Sequence, residues 1–161
     1  MPRLTDPAAI RAILETDCVW AVYALGDLAP GFREASEWRA TPDHRALILL
    51  YRAFETPVLF ALGEAALVDT LLDEIADERQ MYLSLRPEIL PLIKRRYRVE
   101  HEALMWRMTV TRAGFAPAAL AGVERLSLAD LPALRELYAD GQETGEVPDF
   151  FSPEMLENGV F

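Results

Sequence analysis

Apolar residues recur along this chain with a period that changes from segment to segment. Ile10, Ile13 and Leu14 share one helical face, behind Asp6 in a capping position and Pro7 at the first helical position. Asp17 stands ahead of CVWAVYALGDL, in which Val19, Val22 and Tyr23 have helical spacing. The Val and Trp content of that segment equally permits a strand, and pattern alone leaves both open. REASEWRA, a turn at Thr41-Pro42-Asp43 and RALILLYRAF then read as a hairpin, and PVLFALG as a compact apolar strand ended by Gly63. GEAALVDTLLDEIAD is an amphipathic helix with Val68, Leu71, Leu72 and Ile75 inward and Asp69, Asp73 and Glu74 outward. MYLSL reads as a strand, and RPEILPLIKRRYR as a helix with an irregular start, because Pro91 is a poor interior residue. EHEALMWRMTV alternates, which places Leu104, Trp106, Met108 and Val110 on one face of an expected strand.

After AGFAPAALAG the pattern starts again. VERLS is expected to be a short strand, Ser127 and Asp130 have capping-box spacing, and Leu131, Leu134, Leu137 and Tyr138 form the expected buried stripe of the next helix. The loop ADGQETGEVPDFF leads to a closing helix that begins at Ser152 and Pro153, runs through Met155 and Leu156, and stops at Asn158 and Gly159. Val160 and Phe161 then look like the first step of a strand. IRAIL at 10–14 echoes LRELY at 134–138, which permits a duplication. The fold class that follows is α/β (α+β), a mixed and largely antiparallel sheet flanked by helices, with a boundary in the loop 114–122. We divide the chain into 1–119 and 120–161.

Charge sharpens that division. The net charge is −10, but residues 1–119 hold 14 Lys+Arg against 17 Asp+Glu, and 120–161 hold two against nine. Such a balance argues against nucleic acid or an anionic membrane as a partner. Apolar residues are 52% and charged residues 26%, a globular composition. No apolar run approaches the roughly 18–20 residues of a membrane helix, and the early acids of MPRLTDPAAIRAILETD do not suit a signal peptide. A cytoplasmic location is therefore expected, with the lone Cys18 as a buried thiol.

Motifs that carry chemistry are few. The eight glycines are scattered and none builds a G-x-G-x-x-G phosphate loop. His44, His101 and Cys18 lie far apart, so no metal site and no nucleophile is assigned. Lys94, Arg95, Arg96 and Arg98 form a basic cluster that suits the solvated end of a helix, and the carboxylates of 64–78 read as its wet counterpart on another. Trp20, Trp38 and Trp106 are expected in the core. The loop 141–151 sets Glu143, Glu146 and Asp149 beside Val147, Phe150 and Phe151. It is either a helix-linking loop anchored by its phenylalanines or an acidic, aromatic wall for a cationic or amine-bearing ligand.

DCVWAVYALGDL, YRAFETPVLFALGE, MYLSLRPEILPLIKRRY and ALMWRMTV resemble the N-terminal region of two-part GNAT-superfamily N-acetyltransferases. VERLSLADLPALRELYADG with FFSPEMLENGVF is similar to the opening of the GNAT domain proper, its first strand and first two helices. The resemblance implies a GNAT-like N-terminal domain, in effect a degenerate copy, followed from about Val123 by an incomplete catalytic domain. In the family an antiparallel hairpin follows, then the strand and helix that hold acetyl-CoA through a Q/R-x-x-G-x-G/A loop. This sequence has no such loop, so no catalytic and no cofactor-binding residue carries over. Only 141–151 matches a region bordering the acceptor site, which implies Glu146, Asp149, Phe150 and Phe151 as acceptor-side residues. The resulting expectation is the N-terminal portion of an enzyme that moves an acetyl or acyl group from acyl-CoA to a small-molecule or peptide amine, with acetyl-CoA bound by the parent and not by this chain. The alternative is a non-catalytic binding or dimerisation module whose apolar end meets a second copy, or a small-molecule sensor.

Overall fold

The computed structural model describes residues 3–116, 122–139 and 153–157. The chain divides into two compact units, Met1–Thr109 and Val110–Phe161.

The first unit is a mixed four-stranded sheet flanked by helices. Helix α1 (Pro7–Leu14) begins where the Asp6 side chain accepts a hydrogen bond from the Ala8 amide at 3.0 Å, and Ile10, Ile13 and Leu14 are its buried residues. The ambiguous second segment is helical: α2 spans Val22–Gly26. Strands β1 (Ser36–Ala40), β2 (Ala46–Tyr51) and β3 (Val58–Gly63) pair antiparallel in order, and β4 (Tyr82–Ser84) runs parallel to β3. A parallel neighbour needs a crossover, which helix α3 (Ala65–Leu72) supplies. Helix α4 (Leu90–Lys94) follows β4, with Pro91 in its first turn where a missing N–H costs nothing. Before β1, Arg3 bridges Arg39, and the Leu4 amide donates to the Trp38 carbonyl at 2.9 Å.

β2 is apolar throughout because both of its faces are covered. Leu47, Leu49 and Tyr51 pack with Ile10, Leu14, Ala24 and Phe60. Ala46, Ile48 and Leu50 pack with Val68, Leu71, Leu72, Ile89 and Ile93 on the opposite face. The hairpin turn is tied by Thr41, whose hydroxyl accepts from the amides of Arg45 and Ala46 and donates to Asp43.

Four expectations are corrected here. EHEALMWRMTV forms no strand: no neighbouring strand among the described residues supplies a ladder, and Leu104, Trp106, Met108 and Val110 are all exposed. Trp106 is thus at the surface, while Trp38 is in the core and Trp20 is half-buried. Cys18 is exposed, its thiol turned to the Glu15 carbonyl in the link between α1 and α2. The basic cluster is not merely solvated. Because α4 faces α3, Arg96 binds Asp69 and Asp73 at 2.6 Å each, and Arg95 binds Asp69 at 2.8 Å. The Arg96 guanidinium, and after it Arg95, hold the Asp69 carboxyl below its usual range.

In the second unit, Ser127 and Asp130 close the expected capping box, with the Ser127 amide donating to Asp130 at 2.8 Å. Helices α5 (Leu131–Ala139) and α6 (Pro153–Glu157) follow. Residues 123–127, expected as a strand, are irregular. Of the expected stripe only Leu134 is buried; Leu131 and Tyr138 are partly covered and Leu137 is exposed, because few elements pack here among the described residues. Among the described residues of this unit, Leu156 of α6 is the other buried apolar side chain. The ends of the closing-helix reading, Ser152 and 158–161, lie outside the described residues.

Candidate functional site

The acceptor-side residues Glu146, Asp149, Phe150 and Phe151 lie outside the described residues. Three other places in the first unit bear on function.

The first is the β3–α3 junction, where a strand enters a helix N-terminus and an anion would ordinarily be welcome. Gly63 has φ +119°, and a Cβ there would sit 2.6 Å from the Arg45 carbonyl oxygen and 2.7 Å from the Ala46 Cα. Close approach of the β2 backbone therefore demands this glycine. Glu64 follows as the N-cap of α3, and its carboxylate pairs with Arg45. The Glu64 side chain makes no capping hydrogen bond to the α3 amides and is drawn to the Arg45 guanidinium instead.

The second is a cluster around Trp20. The indole N–H donates to the Ala61 carbonyl at 2.8 Å, and the ring stacks on Phe60 with centroids 5.7 Å apart. Two guanidiniums face it, Arg86 at 5.3 Å and Arg107 at 4.7 Å from its centroid. Asp17 neutralises Arg86 and also accepts from the Trp20 amide at 3.1 Å. Arg107 lies over Tyr23 as well, at 5.0 Å, and donates to the carbonyls of Val19 and Trp20. Among the described residues no carboxylate pairs with Arg107. The cluster has the aromatic and cationic chemistry of a contact surface. Sequence reading placed Trp20 in the core and did not single out Arg86 or Arg107, which lie 69 positions from Asp17 and 87 from Trp20. No spacing signal links residues so far apart.

The third is a carboxylate hub. Glu37, with a side chain only 6% exposed, receives Arg3 at 2.8 Å, Arg39 at 2.8 Å and Arg52 at 3.1 Å. Burial pushes its carboxyl up, but hydrogen bonds from Arg52 and Arg39, with the charge of Arg3, outweigh this and hold it below its usual range. A carboxylate so engaged is a structural anchor and not a base. Asp27 is the opposite case. It is half-buried, its carboxyl has no hydrogen-bond or ion-pair partner among the described residues, and burial raises its pKa to about 6. The folded state therefore binds this proton more tightly than the unfolded chain, so the group costs no stability below pH 3.8, its ordinary value, and a growing amount as pH rises to about 6. Asp27→Asn is expected to stabilise the protein by about 2 kcal/mol at neutral pH, with the gain vanishing below pH 4. Urea melts at pH 7.5 and 3.5 check this; an equal gain at both contradicts it.

Cys18, His44 and His101 are not brought together, and no group of three His, Cys, Asp or Glu side chains among the described residues could hold a metal. Nor is any helix among the described residues long and apolar enough to cross a membrane. A shallow, open depression of about 380 Å³ is lined almost wholly by polar side chains, Glu55, Thr56, Asp77, Glu78, Arg79 and Gln80, beside Pro57. No family model, no curated protein and no solved structure matches the chain.

Proposed function

We propose that this chain is the N-terminal portion of a cytoplasmic GNAT-type N-acetyltransferase. In this reading the first unit is a GNAT-like module without an acyl-CoA seat, and transfer of an acetyl or acyl group to an amine belongs to a catalytic domain that opens near Val123. The observation that carries the reading is the order of elements. The Arg3 bridge, α1, α2, the β1–β2 hairpin, β3 and α3 follow one another as the resemblance implies for a GNAT domain: first strand, two helices, antiparallel hairpin, then a strand and helix. At the turn from that strand to that helix, where the family presents a glycine-rich loop to the pyrophosphate, this chain has Gly63, Glu64 and Ala65. One glycine committed to packing and one carboxylate make a degenerate copy of that loop.

Acetyl-CoA is then the cofactor of the parent enzyme, and a small-molecule or peptide amine its acceptor. Glu146 and Asp149 supply negative charge for an ammonium group, and Phe150 and Phe151 supply apolar surface that excludes water. Rate would come largely from holding the amine against the thioester carbonyl in a productive geometry. The test is release of free CoA thiol with a panel of amines, by the intact product of the natural reading frame and by the 161-residue chain. Turnover by the intact product alone is expected. Turnover by the 161-residue chain, or none by either, contradicts the reading.

A further inference from the structure

The guanidinium of Arg107 is fixed from several sides. It lies 4.7 Å from the Trp20 ring centroid and 5.0 Å from that of Tyr23, and its Nη1 donates to the carbonyls of Val19 and Trp20. Those hydrogen bonds use one of its three nitrogens. Nε and Nη2 have no hydrogen-bond partner among the described residues, and neither is shut away from solvent. The N–H groups of Nε and Nη2 point the same way from one edge of the planar group, the fork that fits the two oxygens of a carboxylate.

The charge of Arg107 is also uncompensated. Two guanidiniums stand within 5.3 Å of the Trp20 centroid, and among the described residues a single carboxylate, Asp17, is paired there and takes Arg86. The cluster keeps an excess of one positive charge within a chain of net charge −10. A monoanion matches that excess, whereas an acidic peptide or a phosphate dianion adds repulsion from the rest of the chain. Val19 and Tyr23, both of which meet Arg107, are 52% and 75% exposed and offer apolar surface beside the fork. We propose that Arg107 binds the carboxylate of a small monoanion with an apolar body. Nε and Nη2 donate to its two oxygens, and the body lies against Tyr23 and Val19. A guanidinium already held by two rings and two carbonyls loses little freedom on binding. This inference does not rest on the acyltransferase reading.

Sodium benzoate is the probe, titrated at pH 7 and constant ionic strength into the isotope-labelled 161-residue chain while the arginine Nε–H and tryptophan indole resonances are followed by NMR. The Arg107 Nε–H, identified as the resonance missing from Arg107→Lys, is expected to shift saturably with a Kd on the order of 1 mM. Benzamide, the same ring without the charge, and inorganic phosphate are each expected to bind about tenfold more weakly or worse. Arg107→Lys keeps a cation but has no fork, so the benzoate response of the Trp20 indole N–H is expected to weaken about tenfold or more. No saturable Arg107 shift up to about 50 mM benzoate overturns the proposal. So does equal binding of benzamide, which reduces the site to apolar contact, or of phosphate, which makes it a general anion patch. An undiminished response in Arg107→Lys overturns it too. The three titrations of the parent chain decide the matter even if the lysine variant folds poorly.

Discussion

Gly63→Ala is expected to destabilise the first unit by about 4 kcal/mol, combining about 1–3 for a side chain at a glycine-only dihedral with about 1–3 for forced displacement of packed neighbours. The cause is local. Gly63 stands opposite Ala46 in the β2–β3 ladder, and the atoms a methyl group would strike are the Arg45 carbonyl oxygen and the Ala46 Cα and Cβ, none of which can rotate away. Gly26, where a Cβ meets nothing within 4 Å and φ is ordinary, is the control: Gly26→Ala is expected to change stability by less than about 1 kcal/mol. Chemical denaturation of both variants measures the difference. Near-equal values would mean that β2 and β3 do not approach each other as described, and the sheet would have to be redrawn at the turn into α3.

Glu37→Ala is the second large effect, a loss of about 3 kcal/mol, because breaking a buried ion pair leaves its partners uncompensated. Three guanidiniums converge on this carboxylate, and two of them continue to further acids, Arg39 to Glu74 and Arg52 to Glu78. The partners are partly solvated, which places the expected loss at the lower end for buried pairs. The pH dependence follows from the lowered pKa of the folded state. Stability from Glu37 is present above pH 4.5, its unfolded value, and is lost as pH falls through the depressed folded value. Glu37→Gln should therefore flatten the acid limb of the stability curve below pH 4.5, besides lowering the plateau above it. An acid limb unchanged in the variant would remove Glu37 from the account of acid sensitivity.

The local features were readable because they depend on neighbours in sequence. Asp6 and Pro7 start α1, Val68, Leu71, Leu72 and Ile75 turn inward, and the Ser127–Asp130 box closes as its spacing requires. The two antiparallel pairings also follow from a short turn between apolar runs. What failed depended on partners. The alternation of 102–110 states that these residues can pair, not that a strand lies beside them, and Leu137 has helical spacing but no element among the described residues that covers it. The basic cluster at 94–98 looked like solvated charge because nothing local shows that α3 will present Asp69 and Asp73 to it. The Trp20 cluster is the extreme case, since its members meet only when the link between α1 and α2, β3, the stretch after β4 and residue 107 converge. Asp27 was likewise silent, because an isolated acid in sequence carries no mark of its burial.

The proposed function requires that the β3–α3 junction of the first unit, where the β2 backbone packs against Gly63, hold no acyl-CoA. Calorimetric titration of acetyl-CoA into the 161-residue chain tests it most directly. The account predicts no saturable heat at concentrations up to about 1 mM, an affinity too weak to serve as a cofactor site. Saturable binding at micromolar concentrations, abolished when Gly63 or Glu64 is replaced, would contradict it and place the cofactor in the unit described here.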